Sequence, residues 1–268
     1  MNKGFEIYRR LGQTFVAGWL APEVLGILAV LDAAQRSKNV SGAVAEIGVH
    51  HGKLFIGLNL LQEDSQYSVA IDVFGDQELN IDNSGKGDLA AFRKNVERWS
   101  SLDAVVIHQG DSTKLHADEL RELARGDIRL FSVDGGHTDS IVFSEMNLAE
   151  ATLASGGIVV ADDVFNEAWP GVSSGTLRYI TQGRQLVPFA IGFNKVFFSS
   201  PKYAEFYRNI LRANYEDRYL VFVHTSNFAT HEVLILSRTP RRPRLLISRN
   251  ETARKMYRRI QERRGNRH

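Results

Sequence analysis

Apolar runs alternate with segments of helical spacing along the first two thirds of the chain, and this alternation constrains the fold more than any other feature. The apolar runs are Ala43–Val49, Tyr67–Val73, Ala104–His108, Ile128–Asp134 and Gly157–Ala161. The helical segments between them are Leu54–Gln62, Asp88–Trp99, Ala117–Arg125 and Asp139–Ala154. Such alternation predicts βαβ units, and therefore an α/β fold with a doubly wound, mostly parallel sheet covered by helices on both faces.

The pattern changes after Asp163. Two short strands are predicted at Leu186–Ile191 and Lys195–Ser199, followed by a helix over Pro201–Ala213. Tyr219–His224 and Glu232–Ser237 then predict a closing antiparallel pair. The first 40 residues have helical spacing and are expected to cap the sheet.

One domain boundary is expected near Thr239-Pro240, so that residues 1–239 form one domain and residues 240–268 form a tail. Residues 238–268 contain 12 of the 33 lysines and arginines but only 2 of the 31 acidic residues, which leaves an acidic body with a basic tail. Within Asn250–Arg264, apolar residues recur at helical spacing among arginines, which predicts an amphipathic helix. Such a tail suits an anionic membrane surface, an acidic partner or nucleic acid. A frayed terminal helix, or one that packs between subunits of the expected homo-oligomer, is an equal alternative.

The chain lacks the features of secreted and membrane proteins. It has no cysteine, which excludes disulfides, thiolate metal sites and a cysteine nucleophile. The apolar stretch Phe15–Ala34 is interrupted by Pro22, Glu23 and Asp32, whereas a membrane span needs about 20 apolar residues. The N-terminus has no signal-peptide pattern, and we expect a cytoplasmic protein.

Polar residues cluster where the five predicted parallel strands end, which is where open α/β sheets bind their ligands. The first strand runs into Glu46-x-Gly48-x-x-x-Gly52, where glycines let the backbone approach a ligand closely. This spacing is not the G-x-G-x-x-G of dinucleotide sites, and a simple tight turn explains it equally well.

The second and third strands end in residues that suit a nucleoside. Asp72 is placed to accept hydrogen bonds from two ribose hydroxyls, although a helix-capping aspartate is the plain alternative. The third strand leads to Gly110-Asp111-Ser112, where Asp111 or Ser112 would meet an adenine amino group.

These motifs, together with Val133-Asp134-Gly135-Gly136-His137 and Asp162-Asp163, resemble those of cation-dependent class I O-methyltransferases over roughly residues 40–200. Within that family the sequence is most similar to enzymes that methylate sugars of macrolide antibiotics and related glycosides. The resemblance implies a Rossmann-like fold and S-adenosylmethionine as cofactor. His50 stands where many methyltransferases have glycine, a departure that the cation-dependent branch tolerates.

The resemblance also implies roles for individual residues. Glu46, Gly48 and Gly52 would line the methionine end of the cofactor, Asp72 would bind the ribose, and Asp111 and Ser112 would lie near the adenine. Asp134 is included among the cofactor-binding residues as well. The loop Asp82–Asp88, with Ser84, would fold over the cofactor.

A divalent cation is predicted between Asp134, Asp162 and Asp163. Neighbouring parallel strands lie about 4.8 Å apart, so these carboxylates would converge and repel one another unless a cation lies between them. Oxygen ligands suit Mg²⁺, Mn²⁺ or Ca²⁺, and Mg²⁺ is the expected ion. The alternative is that some of these acids cap helices and point apart.

His137 is the predicted general base, with Asp134 beside it in the catalytic site. A nearby dication would disfavour protonated His137, so that it could take the proton of an acceptor hydroxyl. A histidine that only caps a helix is the alternative. Phe165 and Trp169 are candidates for a wall of the acceptor pocket, Pro170 and Gly171 suit a loop, and Asn194-Lys195 are further candidates for the site.

The sequence therefore predicts a metal-dependent O-methyltransferase acting on a sugar, a glycoside or another small molecule. Two alternatives remain open at this point. One is an NAD-dependent oxidoreductase on the same architecture, and the other is a catalytically silent methyltransferase-like binding protein.

Overall fold

The computed structural model describes residues 3–63, 65–82, 84–216 and 221–238, and nine strands within these ranges form one sheet. The strands are β1 (Ala43–Ile47), β2 (Ser68–Asp72), β3 (Val105–Gln109), β4 (Ile128–Val133), β5 (Leu153–Ala161), β6 (Val187–Gly192), β7 (Lys195–Ser199), β8 (Val221–Phe228) and β9 (His231–Arg238). Their order across the sheet is β3-β2-β1-β4-β5-β7-β6-β9-β8.

Eight α-helices accompany these strands in the described part of the chain. They are α1 (Lys3–Arg10), α2 (Pro22–Ser37), α3 (Phe55–Leu61), α4 (Leu89–Trp99), α5 (Ala117–Ala124), α6 (Asp139–Thr152), α7 (Pro170–Thr181) and α8 (Pro201–Tyr215). None of the helices described is both long and apolar enough to cross a membrane.

The five strands β1 to β5 pair in parallel with one another, and the chain reverses its direction of winding at β1, which lies between β2 and β4. The carboxyl ends of β1 and β4 therefore flank the crevice where doubly wound folds bind ligands. This arrangement confirms the predicted Rossmann-like, mostly parallel sheet.

Both faces of the sheet are buried at the central strands, because alternate residues of these strands enter different halves of the core. In β5, Ile158 and Val160 pack in the half that includes α2, α3 and α8, whereas Val159 and Ala161 pack in the half that includes α5, α6 and α7. This two-sided burial explains why the parallel strands appear in the sequence as continuous apolar runs.

The second part of the sheet is mixed. Strand β7 pairs antiparallel with both β5 and β6, and β8 and β9 form the predicted antiparallel pair. That pair joins the sheet through a parallel contact between β9 and β6. The predicted N-terminal cap is present as α1 and α2, while the predicted domain boundary near Pro240 and the tail helix lie outside the described residues.

The prediction of a loop at Pro170 and Gly171 is wrong, because these residues begin α7. Proline suits the first position of a helix, since its fixed φ is already helical and its missing N–H would have no intrahelical partner there. Strand β5 also begins earlier than predicted, at Leu153, with an irregularity in its pairing to β4 before the predicted start at Gly157.

Candidate active site

A cavity of about 1030 Å³ lies at the carboxyl ends of the central parallel strands. Ten of the predicted site residues line it, and these are Glu46, Gly48, Asp72, Ser84, Asp111, Ser112, Asp134, His137, Asp162 and Asp163. Residues 18–21 before α2, residues 79–82, 84, 85 and 87 of the loop after β2, and the turn between β6 and β7 also line it. The sequence prediction that polar residues at strand ends share one site thus corresponds to a real cavity.

Gly48 is required by the close approach of two strand ends. Its φ of 81° is in the left-handed region, and a Cβ on this residue would lie 1.7 Å from the carbonyl oxygen of Asp134. Gly52 has a similar φ of 87°, but it is not among the residues that line the cavity, and an added Cβ would meet the Phe92 ring at 3.1 Å. Gly52 therefore allows the turn to pack on α4.

Asp72 is held rigidly at the end of β2 by two backbone donors. Its Oδ2 accepts a hydrogen bond from the His50 N–H at 2.7 Å, and its Oδ1 accepts one from the Phe74 N–H at 2.6 Å. Burial raises the pKa of Asp72, although both of these bonds oppose the rise. Each carboxylate oxygen keeps a second lone pair, which leaves Asp72 able to accept two further hydrogen bonds from the cavity.

Asp111 and Ser112 lie on the cavity wall, but each has a local partner. Asp111 Oδ1 caps the turn after β3 by accepting hydrogen bonds from the N–H and the hydroxyl of Thr113, at 2.9 and 2.6 Å. The Ser112 hydroxyl donates to Oε1 of buried Glu145 at 2.6 Å. Burial raises the pKa of Glu145 to about 7, partly offset by this bond.

In the interior of the cavity, several carboxylates surround the buried ammonium group of Lys195. Its Nζ pairs with Asp162 Oδ2. Burial alone would lower the pKa of Lys195, but Asp162 and Asp134 raise it above its usual value. Burial raises the pKa of Glu46 well above its usual range, while Lys195 opposes this, and Glu46 Oε2 has no hydrogen-bond partner.

The three aspartates expected to share a cation are not equivalent in the structure. Asp162 is occupied by Lys195 and by the backbone N–H of Asp163 at 2.8 Å. In the described part of the chain, the group whose ligand atoms lie within 4.8 Å of one another consists of Asp134, His137 and Asp163. Burial, and then the charge of Asp162, raises the pKa of Asp134 well above its usual range.

His137 lies between two carboxylates and under an aromatic ring. Its Nδ1 is 2.9 Å from Asp82 Oδ2, and its Nε2 is 3.5 Å from Asp163 Oδ2. Trp169 stacks on the imidazole with a centroid distance of 4.4 Å. Burial alone would lower the pKa of His137, but the nearby carboxylates of Asp163 and Asp82 raise it. The predicted alternative, a histidine that only caps a helix, does not describe these side-chain contacts.

The β6–β7 turn completes this part of the site. Asn194 donates a hydrogen bond from Nδ2 to Asp163 Oδ1, and both Phe193 and Asn194 have positive φ, of 55° and 71°. Trp169 lines the cavity, as predicted for an acceptor wall, whereas Phe165 is half exposed and packs against Phe228 of β8.

Two contacts of the site could not be read from the sequence. Asp82 was placed in the loop over the cofactor, but its bond to His137 spans 55 residues and no spacing rule predicts it. Lys195 was a candidate by position alone, and the only signal for its pairing was a lysine within an otherwise apolar strand.

Comparison with known proteins agrees with this geometry. Residues 45–164 match a family described as a methyltransferase domain. No curated protein matches this sequence. The match begins in β1 and ends just after Asp163, so it includes the ends of all five parallel strands.

Solved structures with the same fold are distant in sequence. The O-methyltransferase NovP is 15% identical, with 66% of this chain and 80% of NovP covered at a TM-score of 0.54. Cofactor-bound Rv0187 from MTB is 17% identical, with 73% and 88% covered at 0.53. The O-methyltransferase from Bacillus cereus, solved in complex with SAH, is 15% identical, with 74% and 90% covered at 0.51.

The fold and the strand-end cavity together define the Rossmann-like architecture of class I, S-adenosylmethionine-dependent methyltransferases. Residues 45–164 match a methyltransferase domain, so the prediction of a methyltransferase is confirmed for this part of the chain. An NAD-dependent oxidoreductase, kept as an alternative from the sequence, does not agree with that domain.

Proposed function

We propose that this methyltransferase transfers the methyl group of S-adenosylmethionine to a hydroxyl oxygen of a small-molecule acceptor, with the help of a divalent cation. The observation that carries the proposal is the grouping of Asp134, His137 and Asp163 within the same cavity that Asp72 enters. One end of the cavity thus suits a nucleoside, and the other suits an activated oxygen.

The cofactor end is formed by Asp72, by the loop that carries Ser84 and by the turn at Asp111 and Ser112. Asp72 would accept the ribose hydroxyls, because its oxygens retain free lone pairs that face the cavity. Glu46, with one buried oxygen unpaired, would accept from the amino group of the methionine part.

Replacement of Asp72 by alanine is expected to weaken cofactor binding by about 1.5–3 kcal/mol, since hydrogen bonds to a charged group are lost. This corresponds to a roughly 10- to 150-fold higher Kd in isothermal titration with S-adenosylmethionine. Asp72→Asn tests the charge with less change of shape, and Asp76→Ala is the matched control, because Asp76 lies outside the cavity. Unchanged affinity in both Asp72 variants would contradict the ribose assignment.

The residues at the other end fit a hard divalent cation. Mg²⁺ keeps several water ligands and usually binds through one or two carboxylates, which Asp134 and Asp163 would supply. Asp162 would join them only by exchanging Lys195 for the cation. When bound, the cation would polarise and orient the acceptor hydroxyl.

His137 would act as the base in this arrangement. The hydroxyl proton would pass to Nε2, while the oxygen would bond to the methyl carbon of S-adenosylmethionine and the carbon–sulfur bond would break to leave S-adenosylhomocysteine. Trp169 restrains the imidazole from one face, which keeps Nε2 aimed at the acceptor.

For the acceptor we propose a hydroxyl of a sugar in a glycoside. A sugar hydroxyl is a weak acid, so it benefits from a cation and a separate base together, whereas a catechol is already more acidic. Two adjacent sugar hydroxyls near one cation would also determine which oxygen is methylated.

A panel of deoxysugar glycosides and simple catechols, assayed with Mg²⁺ and labelled cofactor, tests the acceptor. We expect turnover of at least one glycoside and faster reaction than with any catechol. Efficient turnover of catechols with none of any glycoside would instead indicate a phenolic O-methyltransferase.

A further inference from the structure

The loop 79–87 places a carboxylate directly against the proposed base. Asp82 Oδ2 accepts a hydrogen bond from the backbone N–H of His137 at 2.6 Å and lies 2.9 Å from Nδ1 of the same residue. Both side chains are only 10% exposed, so water competes little for this contact. One carboxylate oxygen therefore holds both the backbone and the ring of His137.

The loop also braces Asp82 from its own side. Asp82 Oδ1 accepts from the backbone N–H of Ser84 at 2.9 Å, and the Asn80 side chain donates to the carbonyl oxygens of Ser84 and Gly85 at 2.7 and 3.2 Å. Asp82 is thus engaged on both oxygens, Oδ1 by the Ser84 N–H and Oδ2 by the N–H and Nδ1 of His137.

This geometry selects one tautomer of the neutral imidazole. A hydrogen on Nδ1 points to Asp82 Oδ2, which is an acceptor only, so the lone pair remains on Nε2. At 3.5 Å, Asp163 is too far to receive a good hydrogen bond from Nε2, and the tautomer has no hydrogen there to donate. Because His137 lines the cavity, a substrate hydroxyl could approach Nε2 from the cavity and donate to this lone pair.

We propose that Asp82 is a positioning residue for methyl transfer. It sets the tautomer and the orientation of the His137 ring, so that Nε2 can take the proton of the substrate hydroxyl. The inference rests on the proposed function, in which His137 is the base. The loop that carries Asp82 also lines the proposed cofactor cavity through Ser84, Gly85 and Gly87. The cofactor and the base therefore share one structural element.

The first test observes the tautomer and needs no acceptor. In ¹⁵N-labelled protein at a pH where His137 is neutral, long-range ¹H–¹⁵N spectra distinguish Nδ1–H from Nε2–H, and His137→Ala identifies the signals. We expect Nδ1–H in the native protein and a shift towards Nε2–H in Asp82→Asn. Asp76→Asn is the matched control, since Asp76 also follows β2 but is exposed and does not line the cavity.

The second test uses turnover of an acceptor found in the panel. Loss of a residue that orients a functional histidine typically costs about 10- to 100-fold, and we expect this loss in kcat for Asp82→Asn with KM and cofactor affinity unchanged. Adding Asp82→Asn to His137→Ala is expected to cause no further loss, because Asp82 acts through His137. Asp82→Glu, which retains the charge, is expected to recover part of the rate.

The outcomes separate the two proposals. Native-like Nδ1–H and native kcat in Asp82→Asn would overturn the role of Asp82 while leaving His137 as the base. A normal rate in His137→Ala would overturn the base itself. If Asp82→Asn does not fold, the tautomer and kcat of Asp82→Glu decide, and a fully native rate with the Nε2–H tautomer would count against the inference.

Discussion

Removal of divalent cations is expected to abolish methyl transfer, and Mg²⁺ or Mn²⁺ should restore it. The physical reason is the concentration of acidic groups at one end of the cavity, where Asp134, Asp162 and Asp163 face a single buried lysine. Two like charges about 4 Å apart repel by roughly 4 kcal/mol at the effective dielectric of a protein surface. Burial and the charge of Asp162 raise the pKa of Asp134 well above its usual range, while Lys195 opposes this.

The measurement combines turnover after chelation with calorimetric titration of Mn²⁺ into the chelated protein. Asp134→Asn and Asp163→Asn should each weaken Mn²⁺ binding, whereas Asp139→Asn should not, because Asp139 pairs with Arg178 outside the cavity. Asp162→Asn reports whether Asp162 leaves Lys195 to become a ligand. Full activity in excess chelator would refute the cation while leaving the methyltransferase fold intact.

Replacement of His137 by alanine is expected to slow turnover by about 10²- to 10⁴-fold, the usual contribution of a general base. Cofactor affinity should change little, because the residue lies at the acceptor end of the cavity, stacked on Trp169. His116→Ala is the matched control, since His116 is exposed before α5 and does not line the cavity.

The His137→Ala variant also tests whether His137 acts as the base or as a ligand of the divalent cation. His137 belongs to the group whose ligand atoms lie within 4.8 Å, so a direct bond to the cation is the competing role. Under the proposal, His137→Ala retains Mn²⁺ affinity and loses rate. A loss of Mn²⁺ affinity as large as that of Asp163→Asn would assign His137 to the cation, and a near-normal rate would assign the proton to water or to a carboxylate.

The fold could be predicted because its signals are local. Alternating apolar runs and helical spacing depend on the side-chain periods of 2 and 3.6 residues, and the structure has its five parallel strands within a few residues of the predicted bounds. The error at the start of α7 also has a local reason. Proline and glycine are typical of loops, but Pro170 occupies the first position of the helix, where proline is favourable.

The position of the site was also predictable, whereas the partners of its residues were not. Once β1 to β5 are parallel, the residues that follow them must meet at one edge of the sheet, which is why Asp72, Asp134 and Asp163 share a cavity. The charged partners within the site come from distant segments, since Asp162 pairs with Lys195 and His137 contacts Asp82.

The sequence by itself therefore determined the class of fold, the edge of the sheet that carries the site and the carboxylates that enter it. Only the tertiary structure decided that Lys195 neutralises Asp162 and that Asp82 holds His137. These contacts form between a strand end and a turn 33 residues away, and between two loops 55 residues apart. Their geometry depends on the packed position of whole elements, because a hydrogen bond requires its two atoms to come within about 3 Å, and no spacing along the chain records that distance.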